Sequence, residues 1–270
     1  MAEEVFSVPA FIDSHAHLAD EAFESDRSDV ILRARESGAQ AIVCIGSGSG
    51  AGDVLGAARA SRAVASEYPG FVWYSAGVHP HDAEGFDAGR DIPDIRDHIR
   101  SGAVAIGECG LDYHYDNSPR EAQRETFVAQ IALARETGVP LIVHTRDAED
   151  DTRAMVTEAG SGGVIGVLHC YTGSQALAEA AIDVGWYISF SGIVTFRNWT
   201  DNALLQIVPD DRILAESDAP YLAPVPKRGR RNESSWVPFT IDRLAAARGV
   251  TPEWMAASTA ANARTLFKLA

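Results

Sequence analysis

Two histidines lie two residues apart near the start of the chain, in the segment Asp13-Ser14-His15-Ala16-His17. The residues just before them form a short apolar run that is typical of a buried strand. Side chains two residues apart on an extended strand point to the same side, so the imidazoles of His15 and His17 can converge on one point. Imidazole nitrogens are common ligands of divalent transition metals, and the pair therefore indicates one part of a metal site.

Five more polar residues follow later apolar runs in the same way. They are His79, Glu108, His144, His169 and Asp218. A single histidine at the end of a strand is most often a hydrogen-bonded structural residue. Five such histidines and two carboxylates, buried in one layer without a metal, would be desolvated together at high cost. We therefore expect a metal centre whose ligands follow six of the predicted strands.

The composition of this layer also predicts how many ions it holds. Imidazoles and carboxylates without thiolates favour a catalytic site for Zn²⁺, Mn²⁺, Co²⁺ or Fe²⁺ over Ca²⁺. The identity of the ions, among Zn²⁺, Mn²⁺, Mg²⁺ and Co²⁺, stays open. Six potential ligands are too many for one tetrahedral ion with an open position, so we predict two divalent ions about 3.5–4 Å apart. Glu108 is the expected bridge, because only a carboxylate can give one oxygen to each ion. The chain has no lysine before Lys227, so the first seven strands contain no lysine that could bridge in carboxylated form.

The elements that must position these residues alternate along the chain. Short apolar runs predict eight strands, at residues 10–12, 41–45, 71–76, 103–106, 140–143, 164–168, 186–190 and 212–215. Helical periodicity lies between them, for example at residues 26–36, 54–67, 120–137, 175–183 and 238–248. This alternation predicts an α/β fold, a (β/α)8 TIM barrel that forms a single domain over residues 1–270 and carries catalytic groups at the carboxyl ends of its strands. A doubly wound open sheet is the structural alternative, but it usually needs fewer strands.

The composition excludes several classes of protein. With 46% apolar and 23% charged residues the chain is typical of a globular protein, and its net charge of −15 excludes a histone-like nucleic-acid binder. The three cysteines, Cys44, Cys109 and Cys170, form no closely spaced pair, which argues against disulfides and a thiolate zinc site. Neither a secretory signal nor a membrane-length apolar run is evident, so we expect a cytoplasmic protein, a monomer or weak oligomer that does not bind membranes.

Seven motifs surround the candidate residues. They are IDSHAHL at 12–18, GVHPHD at 77–82, AIGECGLDY at 105–113, VHTRDA at 143–148, VLHCYTG at 167–173, ESDAPYLAP at 216–224 and RGRRNE at 228–233. In this order they resemble the TatD family of metal-dependent deoxyribonucleases, in the amidohydrolase-like TIM barrel superfamily, over nearly the whole chain. The resemblance implies metal ligands at His15, His17, Glu108, His144, His169 and Asp218, with His79 contacting the substrate or assisting the chemistry. It also implies hydrolysis of DNA phosphodiester bonds, commonly from the 3′ end, so single-stranded DNA ends are the expected substrate.

The loop after the eighth predicted strand carries four cations within residues 227–231. Its place beside the metal layer favours phosphate binding by Arg228 and Arg231, since a guanidinium is a planar fork suited to phosphate. Asp112 is expected to support a ligand or to cap a turn. Trp199 is expected to pack in the core or at its rim, and stacking of an unpaired base by Trp199 or Trp236 is the alternative.

In the expected mechanism Asp218 orients or deprotonates a metal-activated water, and Glu108 and His79 complete the catalytic set. Two alternatives stay open. One is a small-molecule amidohydrolase or lactonase that uses the same binuclear site. The other is a metal-stabilised scaffold or regulatory binder without hydrolytic activity.

Overall fold

The computed structural model describes residues 9–48 and 52–269, and within them eight strands alternate with helices. The strands are β1 (Phe11–Ala16), β2 (Ala39–Cys44), β3 (Val72–Ala76), β4 (Ala105–Asp112), β5 (Leu141–Arg146), β6 (Gly166–Leu168), β7 (Tyr187–Phe190) and β8 (Ile213–Ala215). The α-helices are α1 (Arg27–Glu36), α2 (Gly56–Glu67), α3 (Ala88–Arg100), α4 (Arg120–Thr137), α5 (Glu149–Ser161), α6 (Gln175–Asp183), α7 (Asn202–Ile207), α8 (Val237–Arg248) and α9 (Pro252–Phe267).

The eight strands form one parallel sheet in chain order, from β1 to β8. The sheet curls until the segment after β8 meets the end of β1. There the Asp218 N–H donates to the His15 carbonyl at 2.9 Å, and the His17 N–H donates to the Ala219 carbonyl at 2.7 Å. The predicted TIM barrel is thus confirmed, and all strands end at the same face of the barrel.

Both faces of the strands are buried. Neighbouring residues of β1, Phe11 and Ile12, belong to two different buried apolar clusters, and so do Ile42 and Val43 of β2. This alternation follows from the period of two along a strand. Helices cover one face and side chains fill the barrel on the other, which is typical of parallel sheets.

Three predicted strands extend further at their carboxyl ends than the sequence indicated. The strand expected at 10–12 continues as β1 to Ala16, the one at 103–106 continues as β4 to Asp112, and the one at 140–143 continues as β5 to Arg146. The prediction ended each strand where its apolar run ends. The pairing with the neighbouring strand continues beyond that point, because the polar side chains that follow point into a buried site. His15, Glu108 and His144 therefore lie inside strands rather than after them.

The helices agree closely with the predicted segments. α4 and α6 have the predicted bounds, and the other three predicted helices differ by at most two residues at one end. α4 ends at Gly138, whose φ of 67° is left-handed and whose N–H donates to the Ala134 carbonyl, as expected of a helix stop. Within the described part of the chain, no helix is long and apolar enough to cross a membrane.

Candidate metal centre

Glu108 lies at the centre of the layer of polar side chains at the barrel mouth. In the β4–β5 ladder, Gly107 pairs with Ile142 and Cys109 pairs with Val143, so Glu108 is an extra residue in a bulge. Bulges next to active sites re-aim a side chain. The bulge in β4 turns the Glu108 carboxylate into the barrel mouth, where only 3% of the residue is exposed.

One oxygen of this carboxylate faces the residues of β1 and the loop after β8. Glu108 Oε2 lies 3.6 Å from His15 Nε2 and 3.8 Å from His17 Nε2. Asp218 Oδ1 lies 3.6 Å from each of the same two nitrogens, which are themselves 3.3 Å apart. Two imidazoles and two carboxylates thus converge on one point, as the sequence spacing predicted for the histidine pair. We call these four residues the β1 set.

The other oxygen faces three histidines from different strands. Glu108 Oε1 lies 2.8 Å from His169 Nε2, 3.2 Å from His144 Nδ1 and 3.4 Å from His79 Nε2. We call Glu108 and these three histidines the β5 set. The rings of His15 and His169 stack with their centroids 3.8 Å apart, so the two sets are adjacent. The structure therefore brings all six predicted ligands and His79 into one cluster.

Two buried carboxylates stand behind the histidines of the β5 set. Asp112 Oδ2 accepts a hydrogen bond from His144 Nε2 at 2.9 Å, and Glu216 Oε1 accepts one from His169 Nδ1 at 3.3 Å. Both carboxylates are completely buried. Carboxylates in this position fix the tautomer and orientation of metal-binding imidazoles. The sequence prediction anticipated support from Asp112 but missed Glu216, although its spacing of two from Asp218 repeats that of the first histidine pair.

These hydrogen bonds determine which ring nitrogen carries a lone pair into the site. The hydrogen on His169 Nδ1 points to Glu216 and the hydrogen on His144 Nε2 points to Asp112. Burial lowers the pKa of both rings, but the hydrogen bonds and charges of Asp112, Glu108 and Glu216 outweigh it and raise both pKa values in the absence of an ion. In the neutral ring that a metal ion would require, the remaining nitrogen is an acceptor, and it faces Glu108. His144 and His169 therefore have the arrangement expected of metal ligands.

His79 has the opposite arrangement. Its Nδ1 accepts a hydrogen bond from the backbone N–H of His81 at 3.1 Å, so this nitrogen carries no hydrogen. The hydrogen of the imidazole is then on Nε2, the atom that faces Glu108 Oε1. His79 presents a hydrogen-bond donor to the site, where His144 and His169 present lone pairs.

Burial and neighbouring charges set the protonation of the cluster. Burial, and then the adjacent His169, hold the pKa of His15 well below its usual range, which keeps this ring neutral. Burial raises the pKa of Glu108, but the surrounding histidines outweigh it, and the pKa of this carboxyl lies well below its usual value. Burial also lowers the pKa of His79. Glu108 is thus ionised among imidazoles, as a metal ligand must be.

The donor set fits divalent metal ions. Three groups of side chains in the described residues have ligand atoms close enough to share an ion, and they are His15 with His169 and Asp218, His15 with His17 and Glu108, and His79 with Glu108 and His144. Cys109 and Cys170 adjoin these groups, but burial raises the pKa of both thiols well above the usual range. The available donors are therefore nitrogen and oxygen, which suits a catalytic rather than a thiolate site.

The backbone around the ligands is locally constrained. Asp218 has a φ of 55° and Cys170 a φ of 43°, a left-handed conformation that is unfavourable for residues other than glycine. Gly110 has a φ of 123°, and a Cβ added there would lie 2.1 Å from the His144 carbonyl oxygen. Only glycine lets β4 approach β5 this closely at the level of His144.

The two arginines that were predicted to bind phosphate both contact other residues of the protein, but of different kinds. Arg231 forms a two-pronged ion pair with Asp26, at 2.8 and 2.6 Å. The guanidinium of Arg228 lies over the ring of the half-buried Phe196, 3.7 Å from its centroid, and donates to the Ala223 carbonyl at 3.4 Å. Phosphate binding by either stays a prediction, and Arg231 already has a carboxylate partner.

The two tryptophans for which base stacking was the alternative lie against other residues of the protein. Trp199 forms an edge contact with Phe190, 6.5 Å between ring centroids. Trp236 has Lys227 and Arg230 over its ring, each 5.6 Å from the centroid. The exposed rings that contact site histidines are instead tyrosines. Tyr115 lies 5.5 Å from the ring of His81, and Tyr221 lies 5.8 Å from the ring of His17.

Comparison with known proteins places this site in a family. The profile of the family described as TatD related DNase matches residues 12–268. An uncharacterized metal-dependent hydrolase, YabD of Bacillus subtilis, is 39% identical over 95% of this chain and 98% of its own length. The 3′-5′ ssDNA/RNA exonuclease TatD of Pectobacterium parmentieri is 36% identical over 96% of this chain and 99% of its own.

A solved structure confirms the fold. The crystal structure of YjjV, a TatD homologue from Escherichia coli K12, superposes with a TM-score of 0.86 and covers 98% of this chain and 100% of that one. The two sequences are 23% identical. The same barrel is therefore shared at low sequence identity.

Proposed function

The chain belongs to the TatD-related DNase family of metal-dependent hydrolases, and on that premise we propose that it is a two-metal phosphodiesterase. Its proposed substrate is single-stranded DNA, shortened from the 3′ end. The direction is the one in the name of the relative from Pectobacterium parmentieri, which names both single-stranded DNA and RNA as substrates. In the proposal Glu108 would be shared by two divalent ions, one held by the β1 set and the other by Glu108, His144 and His169 of the β5 set.

The observation that carries the proposal is the position of the two Glu108 oxygens. Oε2 faces His15 and His17, whereas Oε1 faces His144 and His169. A carboxylate with one oxygen toward each of two groups of imidazoles is what a bridge between two ions requires. A single ion would leave one of the two groups of buried imidazoles without a cation to balance the carboxylates beside them.

The ions supply, when bound, Lewis-acid stabilisation of phosphate oxygens and a lower pKa for water. Asp218 is the residue proposed to take up a proton from the attacking water. Its carboxylate stands at the site with 11% of the side chain exposed and with Oδ1 toward His15 and His17. As the water oxygen bonds to phosphorus, one proton of the water passes to Asp218 and the P–O bond to the leaving sugar oxygen breaks. The proton then returns from Asp218, directly or through solvent, to that oxygen, which leaves as a hydroxyl group.

His79 is proposed to donate a hydrogen bond rather than to ligate or to act as a base. Its Nδ1 is engaged by the His81 N–H, so its Nε2 hydrogen points into the site. A donor in that position stabilises negative charge that develops on a non-bridging phosphate oxygen. His79 and Asp218 thus have complementary roles, one donating to the phosphate and the other accepting from water.

Metal analysis combined with digestion of end-labelled DNA tests the proposed function. We expect about two divalent ions per chain, and progressive shortening of single-stranded DNA from the 3′ end that a chelator abolishes and added metal restores. Double-stranded DNA of the same sequence is the control. A metal-loaded protein that degrades no polynucleotide, but hydrolyses a lactone or an amide, would contradict the proposal and support a small-molecule hydrolase.

A further inference from the structure

Arg146 is a cation at the barrel mouth that no carboxylate of the described residues neutralises. It is exposed at the end of β5, and within the described residues its guanidinium forms no hydrogen bond or ion pair with the protein. Nearby arginines differ, since Arg120 pairs with Asp116 and Arg124 with Asp151. In a protein with a net charge of −15, an unpaired arginine beside the metal centre is available to an anionic ligand.

The strand places Arg146 beyond His144, on the same side of β5 and toward solvent. Thr145 bonds through its hydroxyl to Thr152 of α5 at 2.8 Å, so this side chain points outward to the helix layer. His144 and Arg146, on either side of it, therefore point toward the inside of the barrel. With a rise of about 3.3 Å per residue, the Arg146 Cα stands roughly 7 Å beyond that of His144, toward solvent.

Tyr115 holds this arginine over the mouth. The Arg146 guanidinium carbon lies 4.8 Å from the centroid of the Tyr115 ring. The Tyr115 N–H donates to Asp112 Oδ1 at 2.8 Å, and the other oxygen of the same carboxylate holds His144 and His81. The loop that carries the ring is thus attached to the support of the metal centre, while 56% of Tyr115 remains exposed.

These positions suit one nucleotide of a single strand. A guanidinium lying over an aromatic ring keeps its N–H edges available for phosphate. An exposed ring beside it offers a face on which any unpaired base can stack. We propose that Arg146 and Tyr115 form a nucleotide subsite next to the metal centre, in which Arg146 binds the phosphate neighbouring the scissile one and Tyr115 stacks the base. This inference rests on the proposed polynucleotide substrate.

Kinetics on two substrates test the subsite in the metal-loaded full chain. Arg146→Ala is expected to raise KM for a single-stranded oligonucleotide about 10-fold or more. The rise in KM for a small aryl phosphodiester, which has no neighbouring phosphate, is expected to be much smaller. The slope of log KM against log salt should also fall by about one. Tyr115→Leu is expected to raise the oligonucleotide KM by a similar factor, and Tyr115→Phe, which keeps the ring, to restore it.

Arg35→Ala is the matched control. Arg35 is also an exposed arginine over an aromatic ring, 4.3 Å from the centroid of Phe71, but it lies in the last turn of α1, which leads into the start of β2 at the opposite end of the barrel. An Arg146→Ala effect no larger than that of Arg35→Ala, or equal on both substrates, would overturn the subsite.

A failure of the proposed nuclease function can be distinguished from a failure of the subsite. If the wild-type protein cleaves no oligonucleotide, the nuclease proposal is contradicted, and binding of a fluorescent single-stranded oligonucleotide then tests the subsite alone. Weaker binding by the Arg146→Ala and Tyr115→Leu variants, but not by Arg35→Ala, would still support it. Equal binding by all four proteins would exclude it.

Discussion

Replacing Glu108 with glutamine tests the bridging role most directly. The substitution keeps the shape of the side chain and one carbonyl oxygen, but it removes the charge and turns one oxygen into an NH2 group. Whichever way the amide is oriented, one of the two sets loses its shared ligand. Either His15 and His17 on the Oε2 side, or His144 and His169 on the Oε1 side, would face a donor group.

The magnitude follows from comparison with a carboxylate that serves one histidine only. Glu216 supports His169 from outside the site, and loss of such a support costs about 10–100-fold in metal affinity or activity. Glu108→Gln removes the carboxylate charge from both sets, so a similar loss in each predicts a decrease of roughly 10²–10⁴ in kcat/KM. This corresponds to about 3–5 kcal/mol of transition-state stabilisation.

The assay measures metal content and hydrolysis of a small aryl phosphodiester by the wild type and by the Glu108→Gln and Glu216→Gln variants. Circular dichroism confirms that each variant is folded. We expect Glu108→Gln to retain at most about one ion and to be much less active than Glu216→Gln. Two ions per chain together with activity equal to that of Glu216→Gln would refute the bridge.

Three further predictions concern single residues. Asp218→Asn is expected to fold and bind DNA, but its kcat should fall by a larger factor than its KM rises, because a base acts in the transition state. Steady-state kinetics that show an unchanged kcat would exclude Asp218 from the chemistry. His79→Gln, which can still donate, should keep more activity than His79→Ala while both retain the wild-type metal content, and loss of metal from both would identify a ligand instead. Arg231→Ala should lower the denaturant midpoint at pH 7, and the deficit should shrink on acidification. The reason is that the hydrogen bond from Arg231 holds the pKa of Asp26 below its ordinary 3.8, so the pair stabilises the fold above that pH and is lost as Asp26 is protonated. Unchanged stability with a raised oligonucleotide KM would favour the phosphate-binding role predicted from sequence.

The sequence could predict the barrel and most of the site because both depend on local patterns. Alternating apolar runs and helical segments are visible residue by residue. Once the fold is a parallel barrel, the residue after each run has to lie at one face. His79 and His169, which follow β3 and β6, were placed in this way, and so was Asp218 after β8.

The contacts of the supporting carboxylates could not be predicted in the same way, because the histidines that they support are distant in sequence. Glu216 and His169 are 47 residues apart, and Asp112 and His144 are 32 apart. Their contacts depend on the register between strands, which a polar residue in isolation does not reveal. The bulge at Glu108 is a further example, because it depends on how β4 pairs with β5 and not on the apolar pattern of β4 alone.

The same dependence on distant partners explains how one layer of histidines acquires different roles. His79, His144 and His169 all place a ring nitrogen within 3.4 Å of the same Glu108 oxygen, so distance to the centre does not distinguish them. The ring nitrogen that faces away from Glu108 distinguishes them. Behind His144 and His169 a carboxylate accepts a hydrogen bond from this outer nitrogen, so the inner nitrogen of the neutral ring keeps its lone pair for an ion. Behind His79 a backbone N–H donates to the outer nitrogen, so the hydrogen of the ring is on the inner nitrogen. A change that replaces the group behind a ring should therefore change the role of that ring without moving it.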